Sequence, residues 1–251
     1  MSSRVVKQTK EKLSAANIVA IILFLTLLGS LVYSLVRFIL APEKIPEGMP
    51  PDNVKSDYLL MLTQCALGLI VMMLPPLFTH KLKVMVPSFM TILYYVFLYC
   101  SIFLGEIFGF YYNLPNWDLM LHAMSGAMLG VLGFLVVDWL NKDEHTKLSM
   151  NPFFVSLFAF SFALMIGTLW EIYEFAFDRI LGLNMQKFSL ADGTPLVGAE
   201  ALSDTMEDII IDTLAALGVS VIGFFTNIKL SKQKKENDES AEASMHNPQD
   251  S

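Results

Sequence analysis

Ionisable side chains recur at helical spacing within three apolar stretches of this sequence. Side chains three, four or seven residues apart share one face of an α-helix. The stripes that this spacing predicts are Asp118, His122 and Ser125 in the first stretch, Gly167, Glu171, Glu174 and Asp178 in the second, and Asp204, Asp208 and Asp212 in the third. An earlier apolar stretch adds the carboxylate of Glu106.

The residue types in these stripes are those of a cation site. Carboxylates with one imidazole suit zinc, manganese, magnesium or calcium, so a divalent cation is the predicted cofactor if there is one. Such an ion could activate water, with Glu171 or Asp208 as general base. The predicted catalytic residues are His122, Glu171 and Asp208. The predicted metal ligands are His122, Glu171, Glu174, Asp208 and Asp212. A second tier of candidates for the same site comprises Glu106, Asp118 and Asp204.

Some of these residues have a simpler interpretation. Asp118 and Asp204 fall at predicted helix N-termini, where Asp caps backbone amides and favours the helix dipole. Asp178 is expected at the membrane interface, and Ser125 and Gly126 suit helix packing. Neither capping nor an interface accounts for His122, Glu171, Asp208 and Asp212.

The elements that must position these residues are transmembrane helices. The chain has 251 residues, 54% of them hydrophobic and 16% charged, with a mean hydropathy of +0.53. A soluble domain of this size could not cover so much apolar surface. Six stretches reach the length of about 20 residues that spans a bilayer. The predicted spans are Asn17–Leu40, Tyr58–Phe78, Val84–Phe110, Leu119–Leu140, Pro152–Phe177 and Asp204–Thr226, with the first an uncleaved signal anchor.

The distribution of Lys and Arg predicts the orientation. With the N-terminus inside, twelve of the 17 basic residues lie in inner segments and four in outer loops, while Arg37 lies near the outer end of the first helix. The positive-inside rule therefore favours an all-α bundle with both termini in the cytoplasm. We expect a basic N-terminus over 1–16, a six-helix membrane domain over 17–228 and a disordered tail over 229–251, in a multi-pass protein of the bacterial plasma membrane.

Depth in the bilayer brings the stripes together. At 1.5 Å per residue, His122, Glu171, Asp208, Asp212 and Glu106 lie roughly 6–12 Å below the outer helix ends. So many carboxylates cannot all stay ionised at low dielectric without a counterion. Arg37 is the one Lys or Arg expected at that depth. The alternatives are a bound divalent cation, shared protons or a water-filled cavity.

The sequence supports neither a nucleic-acid-binding surface nor a site built on the two cysteines. No basic stripe carries interleaved aromatics, so nucleic acid is not an expected partner, whereas membrane lipid is. Cys65 and Cys100 lie inside apolar runs and are expected to be free, buried thiols.

The three stripes resemble those of the VanZ-like and YjdF-like membrane proteins of bacteria over residues 117–218. The matching motifs are Asp118 with His122, Trp170-Glu171-x-x-Glu174, and Asp204-Thr205-x-x-Asp208-x-x-x-Asp212 followed by Gly218. This chain departs from the pattern at Leu119, where VanZ-like proteins often have Lys, and at Glu174, where they have Gln. The resemblance implies a role in the cell envelope, since VanZ is associated with glycopeptide resistance, but no reaction.

Three classes of function fit these patterns. The first is an enzyme-like site acting on an envelope lipid or precursor at the outer leaflet. The second is a non-catalytic envelope protein with a structural polar or metal-clamped core. The third is a cation- or proton-coupled transporter. The inner halves of the helices are nearly free of ionisable groups, so no path to the cytoplasm is visible for a transported ion.

Overall fold

Helices dominate the described part of the chain. A computed structural model describes residues 14–44, 53–81, 83–141, 150–190 and 192–245, and this part of the chain contains no β-strand. The helices are α1 (Ala15–Leu40), α2 (Lys55–Val71), α3 (Leu74–His80), α4 (Ser88–Leu98), α5 (Phe110–Asn113), α6 (Trp117–Leu140), α7 (Pro152–Leu181) and α8 (Ala199–Met245). A π-helical segment, Tyr99–Ile107, continues α4. Six helical units are long and apolar enough to cross a membrane, which confirms the predicted fold class.

Two of the six spans are not regular α-helices. The second, Lys55–His80, comprises α2 and α3. Pro75 lies in the first turn of α3, where its missing N–H breaks no helical hydrogen bond. The third span, Ser88–Ile107, changes from α4 to the π-helical segment at Tyr99, so the backbone winds differently before it reaches Glu106.

The first half of the molecule has an apolar core of its own. Helices α1, α2 and α4 pack around Leu23, Leu27, Cys65 and Leu98. Both cysteines are free, Cys65 buried and Cys100 half-buried, as the sequence indicates. This half supports the rest of the bundle and contributes only Glu106 to the predicted site.

Helices α6, α7 and α8 form the second half and pack on one another through small residues. A methyl group at Gly133 would lie 2.7 Å from Ala159 Cα, and one at Gly130 would lie 3.1 Å from Val219 Cγ1. Ala216 on α8 is fully buried. Gly218, by contrast, has no neighbouring atom within 4 Å of such a methyl group, so it makes no close helix contact. Close approach of these backbones brings the three polar stripes into one space.

A folded connection between α7 and α8 closes one end of this half. We call residues 182–198 the cap segment; residue 191 lies outside the described part. Asp178 at the end of α7 holds it, because Oδ1 accepts a hydrogen bond from the Met185 amide (2.7 Å) and Oδ2 one from the Gln186 amide (3.0 Å). Gln186 Nε2 donates to Thr205 Oγ1 on α8 (2.8 Å). Asp178 is therefore buried against the cap segment, and its expected position at the membrane interface stays a prediction.

The C-terminal tail also differs from its expected disorder. Helix α8 continues past the membrane span to Met245, and its described side chains from 231 to 240 are exposed. Lys, Gln, Glu and Ala are strong helix formers, and extending an existing helix requires no new nucleus. Residues 246–251 lie outside the described residues, as do 1–13 of the predicted basic N-terminus. The domain boundaries at 17 and 228 stay predictions.

Candidate functional site

The imidazole of His122 lies at the centre of the three polar stripes. It is on the second turn of α6, one turn after Asp118, and is 7% exposed. Its Nε2 is 3.8 Å from Asp118 Oδ1, 3.7 Å from Asp208 Oδ2 on α8 and 3.9 Å from Glu171 Oε1 on α7. Ligand atoms of Asp118, His122 and Asp208 all lie within 4.8 Å of one another. One nitrogen therefore faces a carboxylate from each of three helices.

The other ring nitrogen has a separate partner. His122 Nδ1 is 3.3 Å from Asp212 Oδ2. A hydrogen bond from this nitrogen to the carboxylate forms in the tautomer that carries the proton on Nδ1. Ser125 Oγ lies 3.1 Å from Asp212 Oδ1 and 2.9 Å from the His122 carbonyl oxygen. Asp212 thus orients the ring from the side opposite the other three carboxylates.

Two glycines make room for Asp212. A methyl group at Gly126 of α6 would lie 2.8 Å from the Asp212 carbonyl oxygen, and one at Gly167 of α7 would lie 2.6 Å from Asp212 Oδ2. Both distances are shorter than van der Waals contact allows. The close packing of α6 and α7 against α8 therefore also fixes the position of the Asp212 carboxylate.

Glu171 is buried without satisfying its carboxylate. The residue is 4% exposed, and neither Oε1 nor Oε2 has a hydrogen-bond partner among the described residues. Leaving a buried carboxylate without a donor is costly. Its closest ionic contact is the 3.9 Å approach to His122 Nε2, so the unsatisfied group points at the cluster.

A lysine from a loop, for which no depth in the bilayer is predicted from the sequence, lies beside the site. Lys187, in the cap segment with a left-handed φ of 45°, places its Nζ 3.7 Å from Glu106 Oε2 and 4.6 Å from the Tyr111 ring centroid. Burial alone would lower the pKa of Lys187, but nearby Glu106 and further acidic groups raise it above its ordinary value. Burial raises the pKa of Tyr111, and nearby acidic groups that include Glu106 raise it further. The sequence shows Lys187 only as a loop residue; no local pattern indicates that the loop folds inward.

The structure separates the predicted site residues into groups. His122, Glu171 and Asp208 come together, and Asp118 from the second tier joins them. Asp212 contacts the opposite nitrogen, and Glu106 pairs with Lys187. Glu174 is buried one turn after Glu171, outside the group formed by Asp118, His122 and Asp208. Asp204 is half-buried one turn before Asp208, and because α8 begins at Ala199 it is not the helix cap.

Arg37, the cation expected at site depth, lies in the first half of the bundle. Its Nε donates to Tyr58 Oη at 2.9 Å, and its guanidinium lies 5.2 Å from the centroid of the same ring. Lys187 lies against Glu106, one of the acidic residues predicted for the site.

Comparison with known proteins places the chain in a family. Residues 51–229, from before α2 into α8, match the family described as "Predicted membrane protein (DUF2238)". The chain belongs to this family. The match includes every predicted site residue, begins after α1, and extends well before residues 117–218, where the sequence resemblance was drawn. The narrower likeness to VanZ-like and YjdF-like proteins stays a prediction.

Relatives of this DUF2238 protein add no chemistry to the site. An uncharacterised protein of Thermotoga maritima is 27% identical over 135 residues, which cover 53% of this chain and 56% of that protein. The aligned region is thus about half the length of this relative. No solved structure matches the chain.

Proposed function

We propose that this membrane protein binds a divalent cation near the outer face of its membrane. The ion would activate water to hydrolyse a phosphoester or acyl ester bond in the head group of an envelope lipid or precursor, releasing the alcohol. Asp118, His122 and Asp208 would hold the ion, and Glu171 would be the general base. Three protein ligands and an open position for water are the usual composition of a catalytic zinc site. Asp212 would act as the orienting carboxylate behind the histidine.

The observation that supports this proposal is the environment of His122 Nε2. Its distances of 3.7–3.9 Å to three carboxylates are too long for N–H···O hydrogen bonds, since a side-chain contact of about 3.6 Å is no longer one. A proton on Nε2 would therefore leave those oxygens unsatisfied. Ligands bonded to a tetrahedral ion at 2.0–2.2 Å lie roughly 3.4 Å apart. The ligand atoms of Asp118, His122 and Asp208 lie within 4.8 Å of one another, so these side chains would move inward to close around an ion.

A structural metal clamp is a second candidate, because the surrounding carboxylates come from three different helices. An ion held by α6 and α8 next to α7 would fix the bundle whether or not it reacts with a substrate. The two functions differ at Glu171. A base can be replaced without loss of the ion, whereas a structural fourth ligand cannot.

Metal analysis of the purified protein tests the proposal. Wild type should contain a stoichiometric divalent ion, which a strong chelator removes and added metal restores. His122→Ala should lose it, while Glu207→Gln, an exposed change on α8, should keep it. Glu171→Gln should keep the ion but lose hydrolysis of lipid head groups. Wild-type protein that takes up no divalent ion, or His122→Ala protein that binds it normally, would contradict the cation site.

A further inference from the structure

A cleft opens between α7, α8 and the cap segment, on the side of α7 where Ile172 and Phe175 are exposed. It encloses about 850 Å³, and its lining includes Glu171, Ile172, Arg179, Phe188, Leu202 and Ile209. Glu171 is therefore shared by the cleft and the His122 cluster.

Polar and apolar residues alternate in the lining of the cleft. Glu171 and Ile172 lie at one end of its α7 wall, and Arg179 lies at the other end, next to the cap segment. Arg179 follows Glu171 by eight residues, which corresponds to roughly 12 Å along α7. Ile172, Phe175 and Leu202 are each at least half exposed, so apolar chains have a surface to lie against.

Charge distinguishes this cleft from an ordinary apolar groove. Arg179 is exposed, its guanidinium lies 5.4 Å from the Phe175 ring centroid, and no carboxylate of the described chain is in ion-pair range of it. The neighbouring Asp178 carboxylate is occupied by the Met185 and Gln186 amides. An anion entering the cleft would therefore meet an available guanidinium, a strong partner for phosphate.

We propose that the cleft binds one phosphate-bearing membrane lipid, with its head group between Arg179 and Glu171 and its chains along the exposed apolar residues of α7 and α8. This names the substrate class of the proposed function and rests on it for the reaction. The binding step itself requires no metal. A lipid would reach the site sideways from the bilayer, since the cap segment covers the end of the bundle.

Native mass spectrometry of the full-length protein in mild detergent tests the binding step with phosphatidylglycerol as the probe. Arg179→Gln should weaken retention about tenfold, the loss of one charge-assisted hydrogen bond. Lys55→Gln is the charge-matched control, because Lys55 pairs with Glu43 at the start of α2, outside the cleft lining. Ala201→Trp should block the cleft that Ala201 lines, whereas Leu214→Trp, at a lipid-exposed position outside the lining, should not.

The outcomes separate this proposal from the cation site. Metal content is measured on the same samples, and Arg179→Gln and Ala201→Trp should leave it unchanged. Equal phosphatidylglycerol retention by Arg179→Gln and Lys55→Gln, or normal retention by Ala201→Trp, would overturn lipid binding in the cleft whatever the metal content. Displacement of the lipid by equimolar inorganic phosphate would also overturn it, since free phosphate would then be the better ligand.

Discussion

The two ring nitrogens of His122 differ in the number and the distance of the carboxylates around them, and this difference suggests a separate role for each carboxylate. Nδ1 faces Asp212 at 3.3 Å, whereas Nε2 faces three carboxylates at 3.7–3.9 Å. A carboxylate that accepts the proton of one nitrogen fixes the ring and makes the other nitrogen a better metal ligand. Asp208 and Asp212, one helical turn apart on α8, would then have distinct functions.

Replacing the orienting carboxylate should weaken cation binding without removing a ligand. Asp212→Asn keeps a possible acceptor for the Nδ1 proton but loses the charge, and we expect affinity to fall about 10- to 100-fold. Asp118→Asn removes a ligand and should cost more. Competition with a chromogenic chelator measures both, and Asp138→Asn, an exposed change on α6, is the control. Wild-type affinity in Asp212→Asn would show that this residue does not support the histidine.

At the scale of elements, the site depends on how closely α6 and α7 approach α8. Gly126 and Gly167 leave the space that Asp212 fills. The polar spacing on each helix can be read from the sequence, but the rotation of one helix against another cannot. For this reason the sequence predicts that Asp208 and Asp212 belong to one site and yet does not separate the proposed ligand from the proposed orienting residue.

A pair of glycine substitutions tests this packing. Gly167→Ala would place a methyl group 2.6 Å from Asp212 Oδ2, and overpacking of this kind typically costs about 1–3 kcal/mol. Gly218→Ala meets nothing within 4 Å and should be neutral or stabilising by up to about 1 kcal/mol. Thermal melts of the detergent-solubilised proteins give the comparison. Equal melting temperatures for the two variants would show that Asp212 is not confined by α7.

The connections between helices were the least predictable elements. Hydropathy indicates all six spans, because bilayer thickness sets their length and composition. The cap segment depends instead on Asp178 binding two amides of the following loop, and that fold buries Lys187 against Glu106. A count of loop charges assigns this lysine to the outside. Its burial follows only from contacts between residues far apart in the sequence.

At the scale of the whole molecule, the polar site occupies one end of the bundle, and the orientation prediction makes that end the outer one. In a background with Cys65 and Cys100 replaced by Ala, Asp192→Cys in the cap segment should react with a membrane-impermeant thiol reagent in intact cells. Ser240→Cys, exposed on the extended end of α8, should react only after permeabilisation. The reverse labelling pattern would invert the topology and place the site at the cytoplasmic surface.

The order in which the chain is synthesised also has a consequence for this site. Asp208 and Asp212 are on α8, the final span, whereas Asp118 and His122 are on α6 and Glu171 is on α7. Helices α6 and α7 must therefore be inserted while their polar residues lack two of their neighbours. The pocket is complete only after α8 has left the ribosome and docked. An ion bound by this pocket would meet its full set of ligands only once α8 is in place, because Asp208 is on that helix.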